Sequence, residues 1–141
     1  MEYDNSFYKD NIHSFIDNFD INIAEMEKVG SLLLILGYSN FFFGAQADIE
    51  ETVRENYHEI NPDKITLFGQ ELVLTGYVCL FIVALKRYWE KTLRVTSSNT
   101  NVDLSPYIAI TDSYFLSVIA NSVRLENFYK LTVDRSAELI E

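Results

Sequence analysis

Apolar residues cluster in two stretches of the chain, residues 29–47 and residues 65–85. The first stretch has no charged residue and the second has one, Glu71. At a rise of about 1.5 Å per residue the first stretch spans about 28 Å as a helix, close to the ~30 Å hydrocarbon core of a bilayer. Polar side chains interrupt both stretches, so each fits either a membrane span or the centre of a soluble bundle. The interrupting residues include Asn40, Gln46 and Gln70.

All five glycines of the chain lie inside these two stretches, and within each stretch they are seven residues apart. The five are Gly30, Gly37, Gly44, Gly69 and Gly76. Seven residues make almost two helical turns, so each set lines one side of a helix. A glycine inside a helix costs about 1 kcal/mol relative to alanine, and small residues allow two helix backbones to approach closely. The spacing therefore predicts an antiparallel helical hairpin packed along the glycines.

Two amphipathic helices are predicted to flank this hairpin. Residues 2–19 place apolar side chains at helical spacing, and residues 105–133 place polar side chains every three to four positions. Asn61 before Pro62 and Ser105 before Pro106 have the pattern of a capping residue followed by a proline in the first helical turn. The sequence thus predicts an all-α single domain over residues 1–141. Its four helices comprise a hairpin of residues 20–60 and 62–94 with short N-terminal and C-terminal helices, and residues 95–104 form a polar linker.

Charge and cysteine content narrow the range of functions. The chain has 21 acidic and 11 basic residues and a formal net charge of −10, which argues against binding to a nucleic-acid backbone. A single cysteine excludes an intramolecular disulfide. The first 28 residues are acidic and polar, unlike a secretory signal or a transit peptide. We expect either a membrane protein with cytoplasmic termini or a cytoplasmic protein.

Metal-ligand and nucleophile patterns are weak throughout the chain. Glu55 and His58 form an Glu-x-x-His pair, but the second copy that a di-metal bundle needs is absent. Asp10, His13 and Asp17 share one side of the first predicted helix, where three ligands on an exposed surface make a poor site. No nucleophile elbow, phosphate loop or dinucleotide fingerprint occurs. We predict no catalytic residue, no metal and no cofactor, and a role for His13 or His58 stays open.

Two single residues have more than one interpretation. Glu71 lies inside an otherwise apolar helix, so in lipid it would have to face protein or water and could be functional. In a soluble bundle the same residue would be a partly exposed helix residue. Cys79 lies among apolar residues, a setting that favours packing over thiol reactivity.

The first functional hypothesis is a non-enzymatic structural or accessory protein embedded in a membrane through the hairpin. It would act by contact with a protein partner or a second copy of itself, and it would bind no nucleic acid. The distribution of basic residues supports cytoplasmic termini, because only Arg54 lies in the acidic segment of residues 48–63. The basic residues expected on the opposite side are Lys28, Lys86, Arg87, Lys91 and Arg94.

The alternative hypothesis is a soluble helical-bundle protein with an interaction or regulatory role. The polar positions of the last predicted helix have the period expected at a bundle surface. Two flanking helices would not cover a hairpin that is apolar on nearly all sides. This alternative therefore predicts a homo-oligomer in the cytoplasm.

Overall fold

The computed structural model describes residues 5–54, 61–98 and 102–138. Within these ranges the chain forms three helices and no β-strand: α1 (Asn5–Val53), α2 (Pro62–Ser98) and α3 (Ser105–Glu138). The all-α prediction is confirmed. The predicted four-helix arrangement is replaced by three long helices.

The short N-terminal helix and the first hairpin helix are one continuous helix, α1. The prediction of a boundary near residue 20 is wrong because nothing there terminates a helix: no glycine or proline occurs before Gly30. Ile16 and Ile23 are buried and continue the seven-residue spacing of Gly30 towards the N-terminus. With 49 residues, α1 is about 73 Å long. The predicted last residues of this helix, 55–60, lie outside the described residues.

The start of α2 follows the predicted capping pattern. Asn61 Oδ1 accepts hydrogen bonds from the backbone N–H of Asp63 (3.0 Å) and of Lys64 (3.3 Å). Pro62 occupies the first helical position, where its missing N–H costs nothing. The other end of α2 extends through Ser98, so the first four residues of the predicted linker are helical.

The start of α3 differs by one residue from the prediction. Ser105 is already helical, and the carbonyl of Leu104 accepts the first helical hydrogen bond, from Tyr107 N–H at 3.1 Å. Asp103 Oδ1 accepts from the Ser105 hydroxyl (2.5 Å) and backbone N–H (2.9 Å). These two bonds lower the pKa of the Asp103 carboxyl. Asp103, and not Ser105, therefore supplies the side-chain acceptor at this helix start.

The central helix is α2, which packs against both α1 and α3. Contacts between α1 and α3 come from side chains, as in the ring pair of Phe41 and Phe128, whose centroids are 6.1 Å apart. Consecutive helices run antiparallel. The start of α1, the end of α2 and the start of α3 therefore lie at one end of the bundle, and the end of α3 lies at the other.

A seven-residue repeat sets the register between α1 and α2. One buried position recurs every seventh residue on each helix, and the two series face each other in reverse order. The series on α1 is Ile16, Ile23, Gly30, Gly37 and Gly44, and that on α2 is Pro62, Gly69, Gly76, Val83 and Glu90. The central layers are built from glycine and the layers towards the open end of the hairpin from larger side chains.

Candidate functional site

The glycines bring the backbones of α1 and α2 into direct contact, and we call this contact the glycine seam (Gly30, Gly37, Gly44, Gly69 and Gly76). A Cβ added to Gly37 would lie 2.6 Å from Val73 Cγ2 and 2.8 Å from the carbonyl oxygen of Gly69. A Cβ on Gly69 would lie 2.8 Å from the carbonyl oxygen of Gly37. Real Cβ atoms essentially never approach other atoms this closely. The two helices therefore pack in this register only if both positions are glycine.

At the other three glycines, an added Cβ would come less close to the backbone of the facing helix than at Gly37 and Gly69. A Cβ on Gly76 would meet Leu34 Cδ2 at 2.9 Å and the Gly30 carbonyl oxygen at 3.0 Å. At Gly44 the nearest atom is the Thr66 hydroxyl at 2.5 Å, while the nearest backbone atom is at 3.4 Å. A threonine side chain can rotate away, but a backbone carbonyl cannot. The tightest point of the glycine seam is thus its middle, at Gly37 and Gly69.

Helix α3 turns polar side chains towards α2. Among the α3 side chains that the structure describes, only Asn121 and Thr132 are buried. Gln70 of α2 is fully buried, and its Nε2 donates to the backbone carbonyl (3.1 Å) and to Oδ1 (3.0 Å) of Asn121. The polar spacing of residues 105–133, which includes Asn121, predicts a solvent-facing side for the last helix. That prediction is wrong for Asn121, because this residue pairs with Gln70 inside the bundle.

Large apolar side chains are exposed along all three helices. Among the described residues, 27 large apolar side chains are exposed, whereas the buried core has six hydrophobic residues. Two helices are long and apolar enough to cross a membrane, and the share of their apolar windows buried within the chain is 17% for the first and 39% for the second. We call this surface the apolar belt. Representative members on the three helices are Leu32, Ile35, Phe42, Ile82, Leu116 and Ile119.

Many polar side chains in or near the apolar belt bond to their own helix. The hydroxyls of Ser39, Thr75 and Ser113 each donate to the carbonyl four residues earlier at 2.8 Å. Asn40 Nδ2 does the same to Leu36 at 2.8 Å. Such bonds satisfy the polar group within the helix, which reduces the cost of placing it in apolar surroundings. The polar interruptions noted in the sequence are therefore partly neutralised by the helix itself.

A cluster of charges joins α1 to α2 at the open end of the hairpin. Arg87 pairs with Asp20 (3.3 Å) and with Glu27. Glu90 is fully buried in the α1-facing series and pairs with Arg94 and with Lys91 Nζ (3.1 Å). A buried carboxylate is tolerated when two cations neutralise it. The basic residues that the sequence suggested as a membrane flank are thus largely engaged within the chain.

At the opposite end a single arginine connects all three helices. Arg135 of α3 pairs with Asp63 at the start of α2 (3.0 Å) and with Glu51 near the end of α1. The hydrogen bond that Arg135 donates to Asp63, and then the one it donates to Glu51, raises the pKa of its guanidinium. All three side chains are about one-quarter to one-third exposed, so solvent weakens these ion pairs only in part.

We expect Arg135→Gln to loosen the end of α3. The variant loses both ion pairs of a partly buried network, worth about 1 kcal/mol together. Amide hydrogen exchange in the last two turns of α3 should then accelerate about fivefold. Lys130→Gln is the matched control, because the partner of Lys130 among the described residues is exposed Glu126 of its own helix (2.6 Å). Equal exchange in the two variants would show that Arg135 does not hold α3 against the hairpin.

The remaining candidate residues do not assemble into a site. Glu71 is exposed on α2, and its backbone carbonyl accepts from Thr75. Cys79 is partly buried, with Sγ 3.4 Å from the Met26 carbonyl oxygen. Among the described residues no group of three potential metal ligands occurs. The segment with Glu55 and His58, and the side chains of Asp10 and His13, lie outside the described residues.

Sequence reasoning located the glycine seam but missed the pairing of Gln70 with Asn121. The signal was present, since an amide inside an apolar helix has to find a partner. Which amide it finds depends on how α3 is rotated, and periodicity alone does not fix that rotation. No family model, curated protein or solved structure matches this chain.

Proposed function

We propose that this protein is a non-enzymatic structural or accessory protein embedded in a membrane, where it acts through contact with other protein chains. The observation that carries the proposal is a buried amide pair combined with an exposed apolar surface. Gln70 and Asn121 form a buried amide pair between α2 and α3, while the apolar belt faces outward.

Water and lipid favour opposite placements of apolar side chains. Monomeric soluble proteins rarely expose contiguous apolar patches of more than a few hundred Å². In a bilayer the apolar belt would contact acyl chains, and helix association would come from close packing and interhelical hydrogen bonds. The glycine seam supplies the first of these and the pair of Gln70 with Asn121 supplies the second.

The direction of α3 affects the side of the membrane on which its end would lie. Arg135 lies beside Glu51 and Asp63, so α3 returns to the end of the bundle where α1 ends and α2 begins. Two cytoplasmic termini would require α3 to lie outside the bilayer that α1 and α2 cross, which does not fit the packing of α3 along α2. If α3 crosses with them, the C-terminus lies on the side opposite to the N-terminus. We place the start of α1 in the cytoplasm, because four basic residues lie at that end of α2.

The alternative, a soluble protein that self-associates, is favoured by the register of the glycine seam. The middle of the charge-free stretch of α1 lies near Gly37, which faces Gly69. The charge-free part of the second stretch is residues 72–85, which follow Glu71. Its middle lies about nine residues beyond Gly69 along α2, or about 14 Å. A bilayer core of ~30 Å therefore covers the two charge-free stretches only in part. Further copies packed along the helices would cover both.

Extraction of the untagged protein from cells tests the proposal. We expect the chain to stay in the membrane pellet through high salt and alkaline carbonate and to enter solution only with detergent. Release by carbonate without detergent would contradict membrane embedding. Light scattering of the released protein in buffer would then test the alternative, which requires more than one copy per particle.

A further inference from the structure

The basic residues at the end of α2 are not equivalent. Carboxylates engage Arg87, Lys91 and Arg94, as described above. Lys86 differs, since its Nζ lies 3.1 Å from the thioether sulfur of Met26. Within the part of the chain that the structure describes, no carboxylate lies within ion-pair distance of Lys86.

A thioether sulfur is only a weak acceptor, so the ammonium group of Lys86 keeps most of its capacity to donate hydrogen bonds. The side chain is half-buried. Desolvating an ammonium without an anionic partner is unfavourable, and an anion from outside the chain would relieve that cost.

Lys86 lies between two shallow grooves on the surface of the α1–α2 hairpin. The smaller groove, about 380 Å³, is lined by apolar residues apart from Lys86 itself. These residues are Phe15, Phe19, Ile82, Leu85, Trp89 and Leu93. The larger groove, about 640 Å³, shares Phe19 and Lys86 with the first. Glu25 also lines the larger groove, but its carboxylate pairs with Lys28 (2.9 Å).

We infer that this place binds an anionic phospholipid, with an acyl chain in the smaller groove and the phosphate group at Lys86. The inference rests on the proposed membrane location. An apolar groove with one cation at its rim matches an amphiphile that has one anionic group next to its chain. Lys86 and Trp89 follow directly on the apolar run of α2, where lysine and tryptophan mark the level of lipid head groups.

Trp89 provides the measurement, because it is the only tryptophan of the chain and it lines the smaller groove. The protein is reconstituted in phosphatidylcholine vesicles that contain equal mole fractions of brominated phosphatidylglycerol or brominated phosphatidylcholine. Bromine on the acyl chain quenches tryptophan emission at short range. We expect an apparent preference of about fivefold for the anionic lipid, the size expected for one lysine at a membrane surface.

Lys86→Gln should abolish the preference for the anionic lipid while leaving quenching by brominated phosphatidylcholine in place. Lys64→Gln is the matched control, since Lys64 is an exposed lysine at the other end of α2. It should keep the wild-type preference. A preference that survives in Lys86→Gln would overturn the assignment of the phosphate to Lys86.

The remaining outcomes separate this inference from the proposed function. Equal quenching of the wild-type protein by both lipids would refute the binding site while membrane embedding stands. No quenching by either lipid would refute embedding itself. Displacement by unlabelled oleate as effectively as by unlabelled phosphatidylglycerol would identify a free fatty acid as the occupant and would contradict a phospholipid site.

Discussion

We expect Gly37→Leu to separate α1 from α2 and to lower the free energy of unfolding by about 2–3 kcal/mol. Even the first carbon of the new side chain would lie 2.6 Å from Val73 Cγ2 and 2.8 Å from the Gly69 carbonyl oxygen. The helices must then move apart, and overfilling a packed interface typically costs about 1–3 kcal/mol. Leucine gains up to ~1 kcal/mol in helix propensity, but a larger side chain than Cβ alone adds further overlap.

The measurement is a denaturant titration in mild detergent, followed by the emission of Trp89. This residue lines a groove with Phe15 and Phe19 of α1, so its environment changes when the two helices separate. The titration should show an earlier midpoint for Gly37→Leu, and Gly69→Ala should behave similarly because its Cβ meets the Gly37 carbonyl oxygen.

Gly44→Ala is the control in the same series. Its Cβ meets only the Thr66 hydroxyl closely, and that side chain can rotate. We expect this variant to be neutral or stabilised by up to ~1 kcal/mol through helix propensity. A Gly37→Leu protein as stable as Gly44→Ala would mean that the middle of the glycine seam is not a close contact.

The second large effect is expected at the amide pair between α2 and α3. Asn121→Leu removes one of the two oxygens that accept from Gln70 Nε2, and a leucine cannot replace it. The bulkier apolar side chain also disturbs the bond to the backbone carbonyl of residue 121. Leaving the fully buried amide of Gln70 poorly paired should cost about 1–3 kcal/mol. The same titration in detergent gives the free energy.

Replacing both partners should restore most of the lost stability. Gln70→Leu in the Asn121→Leu background removes the unpaired amide and leaves two apolar side chains in contact. The double variant should therefore be more stable than Asn121→Leu alone, which gives a coupling energy between the two positions. If the two effects simply add, the amides do not depend on each other and the rotation of α3 needs another explanation.

The two sets of variants test different contacts. The glycine variants act on the α1–α2 contact, which involves backbone atoms and needs small residues on both helices. The amide variants act on the α2–α3 contact, where a specific pair of side chains is buried. If the amide variants lose the α2–α3 contact but keep the α1–α2 contact, the hairpin of α1 and α2 folds independently of α3.

The sequence by itself determined the helical class, the hairpin and the residues of its contact. Glycines seven residues apart can line one helix face, and two such series leave few other ways to bring backbones together. The cap at Asn61 was also predictable from the sequence, because it depends only on neighbouring residues. The Asn61 side chain accepts from backbone N–H groups two and three residues ahead. The predicted number of four helices was wrong, because the absence of a helix breaker before Gly30 is a weaker signal than the change in polarity near residue 20.

Tertiary structure alone decided which way α3 faces and how the two apolar stretches align. The polar spacing of α3 is compatible with polar residues that face solvent or with polar residues that face α2. Only the hydrogen bond from the Gln70 amide shows that Asn121 faces α2. Because Gly37 faces Gly69, the middles of the two apolar stretches are displaced from each other along the helix axes. The sequence of either stretch alone does not show this displacement. Periodicity describes one helix at a time, whereas rotation and register are properties of pairs of helices.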